Sequence, residues 1–166
     1  MQIIKANIAD LWKQNKIVCV TTNGFVKKNY EAVMGRGNAL AMAQTVPELP
    51  KLLGNFIIKY GNRVGFIYKR SIIAFPVKPA TGTYENLLPH VKNRYKETDR
   101  NIPGFWLKAD LNIIETSMEQ LNNLIQKFEL HEVYLPLPGC SNGGLKFEDV
   151  EHILKKGVSQ IKFCSL

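Results

Sequence analysis

Two glycine-bearing segments carry the residue types best suited to hold a small anionic ligand. The first runs Thr21-Thr22-Asn23-Gly24 and resumes at Gly35-Arg36-Gly37-Asn38-Ala39-Leu40-Ala41. Glycines there let the backbone approach a ligand closely, and free N–H groups at a helix start point toward phosphate. The second, Tyr134-Leu135-Pro136-Leu137-Pro138-Gly139-Cys140-Ser141-Asn142-Gly143-Gly144-Leu145, places three glycines within six residues after an apolar strand. A structural turn needs one or two; three supply the freedom for main-chain donors to wrap a diphosphate. A third feature is Lys78, which closes the apolar run Ile72-Ile73-Ala74-Phe75-Pro76-Val77. A desolvated lysine there could act as a nucleophile if its pKa were lowered. The plainer alternative is a lysine snorkelling at a strand end.

Two familiar explanations of the glycines fail on spacing. A dinucleotide fingerprint wants glycine where Leu40 stands, and the loop from Asn23 to Gly35 is too long for its tight turn. A nucleotide-hydrolase phosphate loop needs Gly-Lys-Ser/Thr, which does not occur. Other candidates carry less chemistry. His131 and His152 have no acid or thiol nearby in sequence, and nothing identifies a base to activate Cys140. Phe105 and Trp106 either cover a ligand or, more commonly for such aromatics, anchor a returning loop.

The elements that position these residues read as a layered α/β pattern. Strands are expected at 2–5, 17–21, 64–68, 72–75, 132–135 and 160–164. Helices are expected from Gly37 to Gln44, from Leu49 to Tyr60 with Gly61 as C-terminal cap, from Ala109 to Phe128, and from Phe147 to Lys156. The third has strong periodicity, with Leu111, Ile114, Met118, Leu121, Leu124, Ile125 and Phe128 on one face. From Pro79 to Gly104 the rhythm breaks. That stretch is rich in basic residues (His90, Lys92, Arg94, Lys96, Arg100), with at most a short helix from Asn86 to Tyr95. Long irregular segments of this kind are usually functional or mobile.

Bulk properties set the outer limits. The chain has 166 residues, 45% apolar and 22% charged, which fits one folded unit and excludes wholesale disorder. No apolar run approaches the roughly 20 residues that span a bilayer, and the start lacks signal-peptide features, so a cytoplasmic location is expected. Cys19, Cys140 and Cys164 are odd in number and lack metal-like spacing; neither a disulfide framework nor a metal site is expected. The net charge of +8 favours phosphates, nucleotides or nucleic acid as partners, or is simply a cationic surface.

Taken together, Asn23, Met34-Gly35-Arg36-Gly37-Asn38-Ala39-Leu40-Ala41 and Pro138 to Leu145 resemble the macrodomain family, and among its members the small bacterial and phage ones. The likeness runs from the first strand to the last helix, excepting about residues 79–104. It implies one macrodomain over residues 1–166, a three-layer α/β/α sandwich with a mixed central sheet, and residues 79–104 as a basic loop inserted near the cleft. It implies ADP-ribose or a related NAD-derived nucleotide as ligand, with no cofactor and no metal. Asn23 and Gly35 to Ala39, with Thr22 before them, would lie against the distal ribose. Pro138, Gly139, Cys140, Ser141, Asn142, Gly143, Gly144 and Leu145 would hold the diphosphate and ribose. Asn7 would address adenine, although the residue type also suits a helix N-cap.

In the branch similar to terminal ADP-ribose glycohydrolase, a lysine follows the fourth strand and attacks the anomeric carbon; Lys78 matches that position. Two departures stand out. The aspartate that often follows Gly-Gly-Leu is Lys146 here, with Glu148 and Asp149 one turn on, and Gly-Asp-Ile after the first strand is Ala6-Asn7-Ile8. Three activities are therefore carried forward. One is a hydrolase acting on ADP-ribosylated protein or nucleic acid or on ADP-ribose 1″-phosphate, the last as a phosphatase. Another is a non-catalytic reader or sequestering protein. The third is a nucleic-acid-binding module built on the basic stretch from His90 to Lys108, which the scarcity of interleaved aromatics weakens.

Overall fold

Strand β2 (Ile17–Thr22) shows why the chain forms three layers. Val18, Cys19 and Val20 are all fully buried, although successive side chains of a strand point to opposite faces. Val18 and Val20 join one apolar cluster and Cys19 another. Strand β4 (Ile72–Pro76) repeats the arrangement, with Ile72 and Ala74 on one face and Ile73 and Phe75 on the other. A sheet apolar on both faces must be covered on both, and helices do so.

The computed structural model describes Met1–Leu166. Its main sheet has six strands in the order β1-β8-β7-β2-β4-β3, where β1 is Gln2–Lys5, β3 Gly65–Tyr68, β7 Val133–Pro136 and β8 Ile161–Ser165. Four neighbouring pairs run parallel, and only edge strand β3 is antiparallel, to β4. The sheet is mixed, as expected. Helices α1 (Ile8–Lys13), α2 (Gly37–Thr45) and α3 (Leu49–Tyr60) supply Ile8, Ala9, Met42, Leu49 and Leu53 to one face. Helices α4 (Leu111–Lys127) and α5 (Phe147–Leu154) supply Ile114, Met118, Leu121, Ile125, Val150, Ile153 and Leu154 to the other.

Several boundaries differ from expectation for local reasons. Helix α4 starts at Leu111 because the Asp110 carboxylate caps it, accepting from the Asn112 and Ile113 amides at 2.8 and 3.1 Å. Leu111, counted on the buried face, is 38% exposed in that first turn. Helix α1 has no counterpart among the expected elements; six residues are too few to show periodicity. Helix α5 stops at Leu154, two residues early, where the Gly157 amide turns back to the Leu154 carbonyl.

Residues 79–104 are more ordered than their pattern suggests. Two short strands, β5 (Thr81–Gly82) and β6 (Ile102–Pro103), pair antiparallel at the base of the segment. Between them run 3-10 turns at Tyr84–Asn86 and Pro89–Arg94, in place of one helix over 86–95. Pro89 forces the break, since the residue before proline is pushed to extended backbone, and Leu88 has ψ 140°. Leu87, Leu88, Val91, Ile102 and Leu107 form a small core of their own, while His90, Lys92, Arg94, Lys96 and Arg100 are exposed. No helix is long and apolar enough to cross a membrane.

Candidate functional site

The parallel strands deliver their carboxyl ends to one edge of the sheet, where a cleft of about 680 Å³ opens. Its lining includes Asn7 after β1, Ser165 at the end of β8, Leu137 after β7, Thr22 ending β2 and Lys78 after β4. Ligands of open α/β sheets bind at such an edge. From β1 to β4 there are four inter-strand steps, so the cleft floor is about 19 Å long at ~4.8 Å per step.

Polar side chains fix the first loop in place. Asn23 Oδ1 accepts from the Phe25 amide at 2.9 Å and its Nδ2 donates to the Val33 carbonyl at 3.2 Å, closing the excursion between β2 and α2. Asn38 clamps the helix start to the strand end: its Oδ1 accepts from the Thr21 amide at 3.0 Å and its Nδ2 donates to Thr21 Oγ1 at 2.8 Å. The start of α2 therefore faces the cleft, and its first amides have no acceptor within the helix.

The second loop leaves β7, turns through the 3-10 stretch Ser141–Gly143 and enters α5. The two loops touch. Gly37 has φ +56°, and a Cβ there would fall 2.7 Å from Asn142 Nδ2.

Lys78 lies where the loops meet. Its Nζ donates to the carbonyls of Phe105 at 3.4 Å and Asn142 at 3.5 Å, and it makes no ion pair. Burial, helped by the Arg36 guanidinium, pushes its pKa down to about 8. No aspartate or glutamate lines the cleft. Asn62, which no sequence signal singled out, donates from Nδ2 to the Lys78 carbonyl at 3.0 Å and so fixes the backbone under the lysine.

Of the residues expected at the site, Asn7, Thr22, Asn23, Gly35, Arg36, Gly37, Asn38, Ala39, Lys78, Gly139, Cys140, Ser141, Asn142 and Gly143 line the cleft. Pro138, Gly144 and Leu145 do not; they shape the loop from behind. Pro138 is buried, the Leu145 amide donates to the Gly139 carbonyl at 3.0 Å, and Gly144 takes a left-handed turn at φ +77°. Asn7 lines the cleft and also acts as the helix N-cap. Its Oδ1 caps α1 by accepting from the Ala9 amide at 2.8 Å, which leaves the Nδ2 side of the amide available.

The Cys140 thiol is pushed above its usual range by burial and by Asp149 and Glu148, so it remains protonated at neutral pH. Lys146 is outside the cleft at the start of α5, where its amide donates to the Asp149 carboxylate at 2.8 Å. Ile8, Val33, Phe105, Trp106, Leu137 and Ser165 join the lining without having been assigned to it. Of these, Phe105 and Trp106 carry a ligand-covering reading in the sequence, while Ile8 and Leu137 stand within the motif segments without a role.

No family model matches the sequence, and no curated protein matches it. Solved structures do. The macrodomain of Mycobacterium tuberculosis DarG superposes with a TM-score of 0.61 at 18% identity, over 91% of this chain and 89% of that one. The chain has the macrodomain fold. An Oceanobacillus iheyensis macrodomain mutant, G37V with ADPR, is similar at a TM-score of 0.57 and 14% identity, over 98% of this chain and 82% of that one. Thermosipho africanus DarTG in complex with ADP-ribose matches at 0.58 and 15%, covering 90% of this chain and 37% of that longer one. In this macrodomain fold the cleft opens beside the glycine-bearing loops, as the resemblance implies.

Proposed function

We propose that the cleft binds ADP-ribose or a closely related NAD-derived nucleotide, with adenine at the Asn7 end and the distal ribose at the Lys78 end. The observation that carries this reading is the convergence of the Gly35–Ala39 and Gly139–Gly143 segments on one cleft already occupied by an unpaired lysine. Main-chain donors from both loops suit a diphosphate, and the length of the cleft suits a dinucleotide-sized ligand. Two similar structures are described with ADP-ribose or ADPR bound, which supports the same ligand class.

At the distal end, Lys78 is placed to act as a nucleophile toward the anomeric carbon. In that step the amine lone pair forms a C–N bond as the bond to the aglycone breaks, the leaving group takes up a proton, and water later releases the ribose. The reaction would free ADP-ribose from ADP-ribosylated protein or nucleic acid. The lowered pKa favours this role, because a tenth or so of the lysine is already neutral at pH 7.

A specific observation favours a second reading, that of a binder which sequesters its ligand. No aspartate or glutamate lines the cleft and Lys146 caps a helix outside it, so no acidic side chain stands ready as general base for water. Calorimetry with ADP-ribose tests the shared claim; no heat at millimolar ligand would sink both readings. Turnover of ADP-ribosylated peptide, ADP-ribosylated oligonucleotide and ADP-ribose 1″-phosphate then separates enzyme from binder.

A further inference from the structure

The Lys78 end of the cleft has an aromatic wall that diphosphate binding does not require. Phe105 and Trp106 line it, both half-buried, with ring centroids 5.0 Å apart. The wall is braced from three sides. Phe25 packs its ring at 76° against Phe105, with centroids 5.3 Å apart, and the Arg94 guanidinium lies 4.9 Å from the Trp106 ring. Behind the wall, the Gly104 amide donates to the Ala80 carbonyl at 2.7 Å, and a Cβ on Gly104 would fall 1.7 Å from the Pro79 oxygen. The chain can approach this closely only because residue 104 is glycine. The rings are therefore held in place before any ligand arrives, so little ordering entropy is lost on contact.

Charge at this end is one-sided. Arg36 and Lys78 are the charged side chains lining the cleft, and no acidic side chain balances them. A ring bearing positive charge would meet two cations here, whereas a neutral ring would meet only the aromatic surface.

We infer that Phe105 and Trp106 form a subsite for a neutral planar ring joined to the distal ribose, which makes a dinucleotide of the dihydronicotinamide type a better ligand than ADP-ribose alone. This rests on the orientation given under Proposed function, with the distal ribose beside Lys78. Stacking on a preset aromatic pair improves affinity by about two- to tenfold.

Calorimetric titrations of the full chain with NADH, NAD+ and ADP-ribose at one ionic strength test the idea. NADH is expected to bind about two- to tenfold more tightly than ADP-ribose, with NAD+ gaining no such advantage. In Trp106→Leu and in Phe105→Leu the NADH to ADP-ribose ratio should fall to about one, whatever happens to ADP-ribose itself. Equal or weaker binding of NADH by the unaltered protein overturns the subsite without need of a variant. So does a ratio that survives both substitutions. An equal gain for NAD+ overturns the charge argument. If NADH binds and ADP-ribose does not, the subsite stands and ADP-ribose as ligand falls; if neither binds, both fall.

Discussion

Lys78 Nζ stands 3.5 Å from the main-chain carbonyl of Asn142, tying the residue that follows β4 to the loop that follows β7, across the end of β2. A half-buried ammonium held only by neutral carbonyls is poorly compensated, and that tension makes Lys78 informative to titrate.

Between pH 8 and the ordinary lysine value of 10.5, the folded protein binds fewer protons at Lys78 than the unfolded chain does. Stability therefore rises with pH across that window, and below pH 8 the half-buried charge is a constant burden. Lys78→Met should raise the Tm at pH 7 and flatten this part of the stability profile, as thermal melts across pH 7–11 would show. Any hydrolysis should climb about tenfold per pH unit below pH 8, level off above it, and vanish in the variant. A rate indifferent to Lys78→Met would remove the lysine from the chemistry.

Much of this arrangement was legible in the sequence where one strong signal decided it. Val18, Cys19 and Val20 announced a strand covered on both faces, and the apolar period of α4 fixed that helix to within two residues at either end. The glycines of both loops marked the cleft because the need for backbone freedom is local. Helix α1 was not legible, since six residues hold less than two turns. Residues 79–104 hid their order because five apolar side chains spread over twenty-one positions show no period; they find one another only once β5 and β6 pair. Phe105 and Trp106 could not be given a role, because whether an aromatic faces a cleft or a core depends on what packs behind it. Trp106 both lines the cleft and packs against the small core around Leu87 and Leu107, and sequence shows neither neighbour.

Gly37 tests the junction between the loops. Its φ of +56° disfavours any side chain, and an added methyl would meet Asn142 Nδ2 at 2.7 Å. Gly37→Ala is expected to lose about 1–2 kcal/mol of stability from the backbone alone. It should also weaken nucleotide binding about tenfold by displacing Asn142, roughly 1.4 kcal/mol. Adding Asn142→Ala should relieve the collision but not the strain. Chemical denaturation and calorimetry on the two single variants and the double variant would then show coupling in affinity and near additivity in stability.

Gly104 offers a harsher case. A methyl placed 1.7 Å from the Pro79 carbonyl oxygen cannot be accommodated by a side-chain rotation, because both partners are main chain. Gly104→Ala should cost about 3 kcal/mol as backbone is forced apart. The loss should appear as faster amide exchange in residues 79–107, while β2 and β7 keep their protection. Uniform loss across the sheet would mean that the segment and the sheet unfold together.

Thr22 runs the other way. Its carbonyl accepts from the Val77 amide at 2.8 Å, yet its hydroxyl is buried with no hydrogen-bond partner, at the point where β2 enters the cleft. An unpaired buried hydroxyl carries a desolvation penalty that a methyl of the same shape avoids. Thr22→Val should therefore stabilise the protein by about 1 kcal/mol, read as a higher denaturation midpoint with an unchanged slope. Because the oxygen is sealed from the cleft, affinity for ADP-ribose should stay within about twofold. A gain in stability accompanied by a large loss of binding would show that the hydroxyl turns outward when ligand arrives, and that its missing partner is the ligand itself.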